Sequence, residues 1–276
     1  MIRKHTRDYS YLLHSNLVED LINLSIKNQA HKNDILLVLT CGQYDENEAK
    51  VSKFHVPGYI TGFQFERYST ISTTRFIKWY CEESGFVINE DDLPKMDVRG
   101  DMLIRASIGV ESMIYLSFWE NDITLMKLYQ LSRLATGQRY DWHWREKMLN
   151  TKNRNEFFRK DIKNIIKDVS PNLYDFYDKY VVGQVRNAIA HSQLAPLNNE
   201  IKLLNYSEDP KKYSPKINIQ YSEWEEMICA TLSFRARLVS SLNDLIKMNK
   251  DNFPNNKFNT EITIENKTVK ASFKFP

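Results

Sequence analysis

The chain has 276 residues, of which 42% are hydrophobic and 12% aromatic, and it contains only 8 glycines and 8 prolines. This composition excludes a disordered chain, and the long stretches between glycine and proline favour helices over a sandwich of short strands. The 38 basic and 35 acidic residues give a formal charge of +3, which by itself neither indicates nor excludes a nucleic-acid partner.

The cysteines and the apolar runs indicate the compartment. Cys41, Cys81 and Cys229 are far apart and form no CxxC pair, so they indicate neither a disulfide framework nor a zinc site. We therefore predict no metal, no cofactor and a reducing compartment. The amino terminus has no apolar core of signal-peptide length, and no run approaches about 20 apolar residues. We expect a soluble, cytoplasmic protein without a membrane partner.

Residues 1–98 are predicted to form a mostly helical region of unknown function. Apolar residues at mixed three- and four-residue spacing predict an amphipathic helix over residues 9–29. Residues 35–40 form a short apolar run. Periodicity cannot distinguish a strand from a buried helical turn over so few residues, so both remain open.

A loop and a helix precede the predicted domain boundary. Gly58 and Gly62 indicate the loop, and apolar spacing predicts a helix over residues 70–84 that ends at Gly85. Residues 89–101 are polar and acidic, contain a proline and a glycine, and have no periodic pattern. The boundary is therefore placed in this segment.

Residues 99–252 are predicted to form a four-helix bundle. Ser170 and Pro171 supply a favoured N-cap and a first-turn proline for the third helix. Ser222 and Glu225 form a predicted capping box for the fourth. The four helices are predicted over residues 102–135, 155–169, 171–192 and 222–248.

Two β-hairpins complete the predicted mainly α fold. Residues 200–206 and 216–221 alternate around a polar stretch, which predicts a hairpin inserted between the third and fourth helices. The tail, residues 253–276, alternates about Asn266 and Lys267 and predicts a second hairpin over residues 260–275.

The segment from Arg145 to Lys167 is distinctly basic. A solvated helix face and a phosphate-contacting surface are about equally favoured interpretations of it. Its basic residues are Arg145, Lys147, Lys152, Arg154, Arg159, Lys160, Lys163 and Lys167.

One short stretch contains the residues that favour a specific chemistry. Residues 180–193 read YVVGQVRNAIAHSQ and include Arg186, Asn187 and His191. This string resembles the signature of the HEPN superfamily, in which an arginine, commonly followed by a polar residue, precedes a histidine at this spacing. The resemblance implies a helical bundle, most often dimeric. Many members of that superfamily are metal-independent endoribonucleases that act as toxins or in defence against phage, so the resemblance implies that activity here.

The resemblance assigns roles that RNA chemistry explains. The 2′-hydroxyl of RNA is a built-in nucleophile, so cleavage needs no metal. An imidazole, with a reference pKa near about 6.5, can move the proton, and a guanidinium can hold the phosphate. The predicted catalytic residues are Arg186, His191 and Asn187. Acid and base roles together need two histidines, so we predict a homodimer with a composite site and a 2′,3′-cyclic phosphate product.

A second arginine and histidine pair matches the loosest spacing of the pattern. Arg7 and His14, with polar Asp8 after the arginine, lie closer in helical phase than Arg186 and His191, which are about 140° apart on an ideal helix. The later pair is preferred because its fuller string resembles the family and because the amino terminus is expected to fray.

Other residues are weaker candidates. Glu111 and Asp122 interrupt an apolar helical stripe and could face a polar groove, although exposed flanking positions are favoured. His143, between two tryptophans, could stack on a base, but packing in a helix connection is favoured. The same preference for the core applies to three tyrosines at three-residue spacing: Tyr174, Tyr177 and Tyr180.

Two other functions remain open on the sequence. The first is a HEPN-like bundle without catalysis that binds RNA or protein as a scaffold. The second is a helical protein in which Arg186 forms an ion pair and His191 is a core residue. A neutralising or regulatory partner protein is also expected for a toxin. Gln193 stands where one subset of the family has a tyrosine that is modified by a nucleotidyltransferase, which makes that regulation doubtful.

Overall fold

The computed structural model describes residues 1–40, 63–89, 98–209, 214–264 and 267–275. These residues are mainly helical, which confirms the predicted fold class. The α-helices in these ranges are α1 (Lys4–Leu13), α2 (Ser15–Asn28), α3 (Asp34–Leu39), α4 (Phe63–Glu82), α5 (Val98–Trp119), α6 (Asp122–Ala135), α7 (Trp144–Asn150), α8 (Arg154–Phe157), α9 (Pro171–Tyr180), α10 (Gly183–Ala190) and α11 (Tyr221–Lys250). The strands are β1 (Ile2–Arg3), β2 (Val87–Ile88), β3 (Leu194–Pro196), β4 (Glu200–Leu203), β5 (Asn218–Gln220), β6 (Lys257–Ile264) and β7 (Lys267–Lys274).

The chain forms two compact units, each assembled from three separate stretches of sequence. The first unit contains Met1–Asn16, Ser72–Asn121 and Asp175–Ala236. The second contains Leu17–Ile71, Asp122–Tyr174 and Arg237–Pro276. The linear division into residues 1–98, 99–252 and 253–276 stays a prediction.

The first unit has an aromatic core between α5, α9 and α11. The ring of Phe234 lies 5.8 Å from Trp119, 5.0 Å from Phe176 and 5.8 Å from Tyr177, measured between centroids. The indole Nε1 of Trp119 donates a hydrogen bond to Thr231 Oγ1 at 3.0 Å. Buried aromatic side chains contribute a large apolar area, so these contacts hold the helical bundle together.

The second unit packs α2 against α6 and carries the carboxy-terminal hairpin. Ser25 Oγ donates to the Leu131 carbonyl at 2.8 Å, and Asn28 Nδ2 donates to the Ala135 carbonyl at 2.7 Å. In the hairpin, the Phe273 ring lies 5.7 Å from that of Trp142. These contacts join α2 to α6, and the hairpin to the connection between α6 and α7.

The predicted hairpins are confirmed. β4 and β5 pair antiparallel with Ile201 opposite Ile219, and β3 joins them as a third strand. β6 and β7 also pair antiparallel, with Ile262 opposite Val269. The apolar run at residues 35–40, left open between strand and helix, contains α3. The end of α4 is also as predicted, because Gly85 has a φ of 73°.

Three predicted helices are interrupted, and continuity across the breaks was a wrong prediction. The helix predicted over residues 9–29 breaks at His14, the helix over 102–135 breaks after Trp119, and the helix over 171–192 breaks at residues 181–182. The basic segment over 155–169 is helical but passes from α8 into a π-helix (Phe158–Lys163) and a 3₁₀-helix (Asn164–Ile166). Each of the first three breaks is bounded by long-range contacts that local propensity does not encode.

The start of α11 differs from the predicted capping box. The helix begins at Tyr221, and the Glu225 carboxylate accepts from Arg3, with Arg3 Nη2 and Glu225 Oε2 2.6 Å apart. The predicted loop at Gly58 and Gly62, and residues 90–97 of the predicted boundary, lie outside the described residues. Within the described ranges, no helix combines the length and apolar character of a membrane span.

Candidate functional site

The predicted site lies on α10, which begins directly after the break at residues 181–182. Hydrogen bonds from another helix hold both sides of this break. The Tyr115 hydroxyl donates to the Tyr180 carbonyl at 2.9 Å and accepts from the Val182 amide at 3.0 Å. Tyr115 is fully buried, and burial raises the pKa of its hydroxyl. Because Tyr115 satisfies backbone groups on both sides of the break, α9 can end and α10 can start in a new direction.

A side-chain amide fixes the first turn of α10 to the neighbouring segment. Gln184 Nε2 donates to the Lys216 carbonyl at 2.6 Å, and its Oε1 accepts from the Lys216 amide at 3.0 Å. Asn205 Nδ2 donates to the Gln184 carbonyl at 2.9 Å. The direction of α10 is therefore set by contacts at its amino-terminal end.

His191 is the C-cap residue of α10, and its imidazole is exposed. The helix ends in a Schellman motif, in which the Gln193 amide donates to the Ala188 carbonyl at 2.7 Å and the Ser192 amide donates to the Ile189 carbonyl at 3.1 Å. Ser192 adopts the left-handed conformation, with a φ of 55°. This turn stops the helix at His191 and leaves the imidazole at a helix end that solvent reaches.

Asn187 lies one helical turn before His191 and is also exposed. Its carbonyl accepts the backbone amide of His191 at 3.0 Å, so the two residues are joined through the last turn of the helix. Residues four apart share a helix face. The structure therefore brings Asn187 and His191 together on one exposed side of α10.

Arg186 is separated from that surface, because its side chain is completely buried. Its Nη2 donates to the Trp119 carbonyl at 3.0 Å and pairs with the Glu120 carboxylate, whose side chain is 33% exposed. A cation at the carboxyl end of a helix satisfies free carbonyls and complements the helix dipole. Arg186 therefore caps α5 at the point where the predicted long helix breaks.

Glu120 and Tyr115 are the two site residues that the sequence interpretation missed. Glu120 directly follows the mostly apolar last turns of α5, residues 113–119, which was a usable signal for a cationic partner. Nothing local marks Tyr115, because its role depends on backbone groups more than sixty residues away.

The second arginine and histidine pair has the opposite arrangement. The Arg7 side chain is 28% exposed and pairs with Asp8 at 2.9 Å. His14 is buried edge-on against Phe176 and Tyr180, with ring centroids 4.9 and 5.3 Å apart. Burial lowers the pKa of His14, and the charge of Lys179 lowers it further. A neutral, enclosed imidazole is a packing group.

Several lysines of the basic segment contact neighbouring carboxylates or an aromatic ring. Lys147 pairs with Asp161 at 2.7 Å, and Lys160 pairs with Glu156 at 2.6 Å. The ammonium groups of Lys163 and Lys167 lie over the Tyr174 ring, at 5.1 and 5.4 Å from its centroid. These contacts favour the solvated helix face over a dedicated phosphate surface.

The remaining candidates are structural. The prediction that Glu111 is exposed was wrong: it is fully buried, accepts from Tyr80 and Trp224 at 2.7 and 2.6 Å, and also pairs with the amino group of Met1. Asp122 pairs with Arg154 at 2.7 Å. Tyr177 and Tyr180 are buried, as are both tryptophans that flank exposed His143, which agrees with the packing interpretation.

Among the described residues, no three histidine, cysteine or carboxylate side chains are grouped so that they could hold a metal ion. No protein-family model, curated protein or solved structure matches this chain. The chemistry of the site is therefore inferred from its own residues.

Proposed function

We propose that the protein is a metal-independent endoribonuclease of HEPN type that acts as a homodimer. The observation that carries this proposal is the exposed His191 imidazole, held with Asn187 at the terminus of a helix whose start and flank are fixed. A role as a toxin or phage-defence effector in the cytoplasm, restrained by a partner protein, extends the same proposal.

In the proposed reaction, one imidazole removes the proton of the RNA 2′-hydroxyl. The resulting oxygen attacks the adjacent phosphorus, and the bond from phosphorus to the 5′-oxygen breaks. A second imidazole donates a proton to the departing oxygen. The products are a 2′,3′-cyclic phosphate and a 5′-hydroxyl, and no redox step, water or metal is required.

Each chain supplies one His191, so the proposal requires two copies. A twofold interface places the same residue of both protomers at one axis. Exposure of His191 and Asn187 at a helix end is compatible with such an approach. Asn187 is assigned a hydrogen bond to the phosphate or to the facing imidazole.

Arg186 is assigned a positioning role that replaces direct phosphate binding. Its guanidinium is engaged by Glu120 and by the Trp119 carbonyl, and its side chain has no exposed surface. Through these contacts it holds α10 against the end of α5. We propose that this contact sets the orientation in which α10 presents His191.

The alternative function is a non-catalytic scaffold that binds RNA or protein. The burial of Arg186 and its pairing with Glu120 favour it, because a structural ion pair needs no catalytic purpose. The two functions differ in one respect that can be measured. The nuclease cleaves RNA and requires His191 to do so, whereas the scaffold does not cleave RNA.

The deciding experiment incubates the purified protein with structured and unstructured RNA in EDTA. We expect cleavage by the wild type and a loss of at least about 100-fold for His191→Ala, because positioned proton transfer is typically worth about 10² to 10⁴ in rate. Since His191 is exposed, the variant should keep the wild-type unfolding midpoint. Equal cleavage by folded His191→Ala would reject the proposal, and RNA binding without cleavage would favour the scaffold.

Mixing wild type with His191→Ala tests the composite site. If both histidines of a dimer are needed, activity falls faster than in proportion to the wild-type fraction once subunits exchange. Strict proportionality would show that each chain acts alone.

A further inference from the structure

A second feature of the first unit is a cavity of about 470 Å³ between α1, α4 and α11. Its volume lies within the range of small-molecule sites, which is about 300 to 1,000 Å³. Much of the wall is apolar, with Leu12, Ile77 and Leu232 contributing to it. Neither Arg186 nor His191 lines the cavity, so it is a separate site from the one proposed for RNA cleavage.

The cavity wall contains a buried cation, Arg235, whose residue surface is only 9% exposed. Its Nη2 donates to Thr74 Oγ1 at 3.0 Å. Within the described residues, no carboxylate lies at ion-pair distance from it. Burial lowers the pKa of Arg235. A buried guanidinium ordinarily has an anionic partner, because an unpaired buried charge is costly.

The other ionisable groups of the cavity leave this positive charge in surplus. The charges of Arg7 and Asp8 balance each other in an ion pair of 2.9 Å. Burial raises the pKa of the Cys81 thiol, which keeps it neutral at physiological pH. The Ser233 hydroxyl donates to the Cys229 carbonyl at 2.7 Å and is already engaged. Among the described residues that line the cavity, the net charge is therefore that of Arg235.

These features restrict the chemistry of an occupant. A cation would be repelled by Arg235, and a neutral apolar molecule would leave the guanidinium with Thr74 but without an anionic partner. An anion with an apolar body satisfies both the charge and the apolar walls, because guanidinium binds carboxylate, sulfonate or phosphate oxygens through paired hydrogen bonds.

We propose that this cavity binds a small amphipathic anion, whose anionic group pairs with Arg235 and whose apolar body lies against Leu12, Ile77 and Leu232. The Thr74 hydroxyl, which accepts from Arg235, can donate its own proton to the same anionic group.

The test uses a matched pair of fluorescent probes on the full chain. Anilinonaphthalene sulfonate is an amphipathic anion, and phenylnaphthylamine has the same aromatic body without the sulfonate. We expect saturable binding of one sulfonate probe per chain. Arg235→Gln should weaken the sulfonate probe by at least about 10-fold, since a hydrogen-bonded charged group contributes about 1.5 to 3 kcal/mol. The same Arg235→Gln substitution should change the affinity for the neutral probe by less than about threefold, because that probe has no sulfonate to pair with the guanidinium.

A second variant keeps the test decisive if Arg235→Gln does not fold. Ile77→Trp fills the apolar wall from a half-exposed position and should reduce binding of both probes. Thermal melts establish that each variant is folded. Arg7→Lys is the matched control, because lysine keeps the positive charge that balances Asp8, and it should alter sulfonate binding less than Arg235→Gln does.

Competition distinguishes the sources of the natural anion. Displacement of the sulfonate probe by medium-chain fatty acids would identify an alkyl carboxylate, whereas displacement by mononucleotides would identify a phosphate with an aromatic body. The proposal is overturned if Arg235→Gln binds both probes as the wild type does. It is equally overturned if Ile77→Trp leaves sulfonate binding unchanged.

Discussion

The chain contains the same arginine and histidine pattern twice, and the structure treats the two copies in opposite ways. In Arg7 and His14, the arginine is partly exposed and the histidine is buried among aromatic rings. In Arg186 and His191, the arginine is fully buried and the histidine is exposed.

This contrast shows that the spacing of an arginine and a histidine in the sequence does not determine which of their side chains a substrate can approach. An imidazole can act on a substrate only where the substrate can approach it, and only His191 of the two meets that condition. A buried arginine beside a carboxylate has a different capability, because it can fix the relative position of two helices. If this difference in burial is also a difference in function, matched substitutions in the two copies should have unequal effects.

The largest expected difference lies between the two histidines in RNA cleavage. His191→Ala should lose at least about 100-fold, whereas His14→Gln should keep activity within about threefold, because the proposed mechanism assigns proton transfer to the exposed imidazole alone. Initial rates on one RNA in EDTA measure both. If folded His14→Gln is as inactive as His191→Ala, the claimed functional difference between the two histidines is contradicted.

The two arginines should differ in their contribution to stability. Arg186→Met removes charge-assisted hydrogen bonds to Trp119 and Glu120 and should lower the free energy of unfolding by about 2 to 3 kcal/mol. Arg7→Met removes a surface pair with Asp8 and should cost less than about 1 kcal/mol. Urea denaturation measures both.

Arg186→Lys sharpens this prediction by separating charge from positioning. Lysine keeps the positive charge but not the fork geometry, so it should restore most of the stability. If Arg186 positions α10, the lysine variant should also recover part of kcat with KM little changed. Recovery of stability without any recovery of kcat would contradict the positioning role.

The polar residue after each arginine should also differ between the two copies. Asn187→Ala should lower RNA cleavage about 10-fold, the effect of one lost hydrogen bond in the transition state. Asp8→Ala, its counterpart, should leave the rate unchanged, because Asp8 pairs with Arg7 in the copy whose histidine is buried. An unchanged kcat for Asn187→Ala, or an equal loss for Asp8→Ala, would contradict this assignment.

The smallest effect concerns pH. Because burial lowers the pKa of His14 below 6.5 in the folded state, the unfolded state binds more protons, and stability increases with pH. The stabilisation is complete above pH 6.5 and is lost as the pH falls towards the folded pKa. The His14 contribution should be no steeper than about 1.4 kcal/mol per pH unit. Denaturation curves of His14→Gln should lack this contribution, and an unchanged pH profile would contradict it.

Local sequence rules predicted the parts of the fold that local chemistry determines. Gly85 was placed correctly because the left-handed conformation at a helix end favours glycine. The hairpins were predicted because alternation along a strand reports its two faces. The proximity of Asn187 and His191 is likewise a local property, because the two residues are four apart on one helix.

The helix breaks and the burial of Arg186 could not be read from the sequence. Tyr115 joins Tyr180 and Val182 from another helix, and the Trp119 carbonyl and Glu120 engage Arg186 across a similar distance in sequence. A helical arginine is ordinarily exposed, so only its tertiary partners show that this one is buried. The inward direction of His14 likewise depends on Phe176 and Tyr180.

The most direct test of the central claim is the dependence of cleavage on the 2′-hydroxyl. An RNA oligonucleotide and its copy with one deoxyribose at the cut nucleotide are incubated with wild type and His191→Ala in EDTA, and the product ends are identified by mass spectrometry. The proposal predicts that only wild type cuts the all-RNA strand at that nucleotide, leaving a 2′,3′-cyclic phosphate, and that the deoxy position is not cut. Cleavage at the deoxy position, or cleavage that EDTA abolishes, would contradict it.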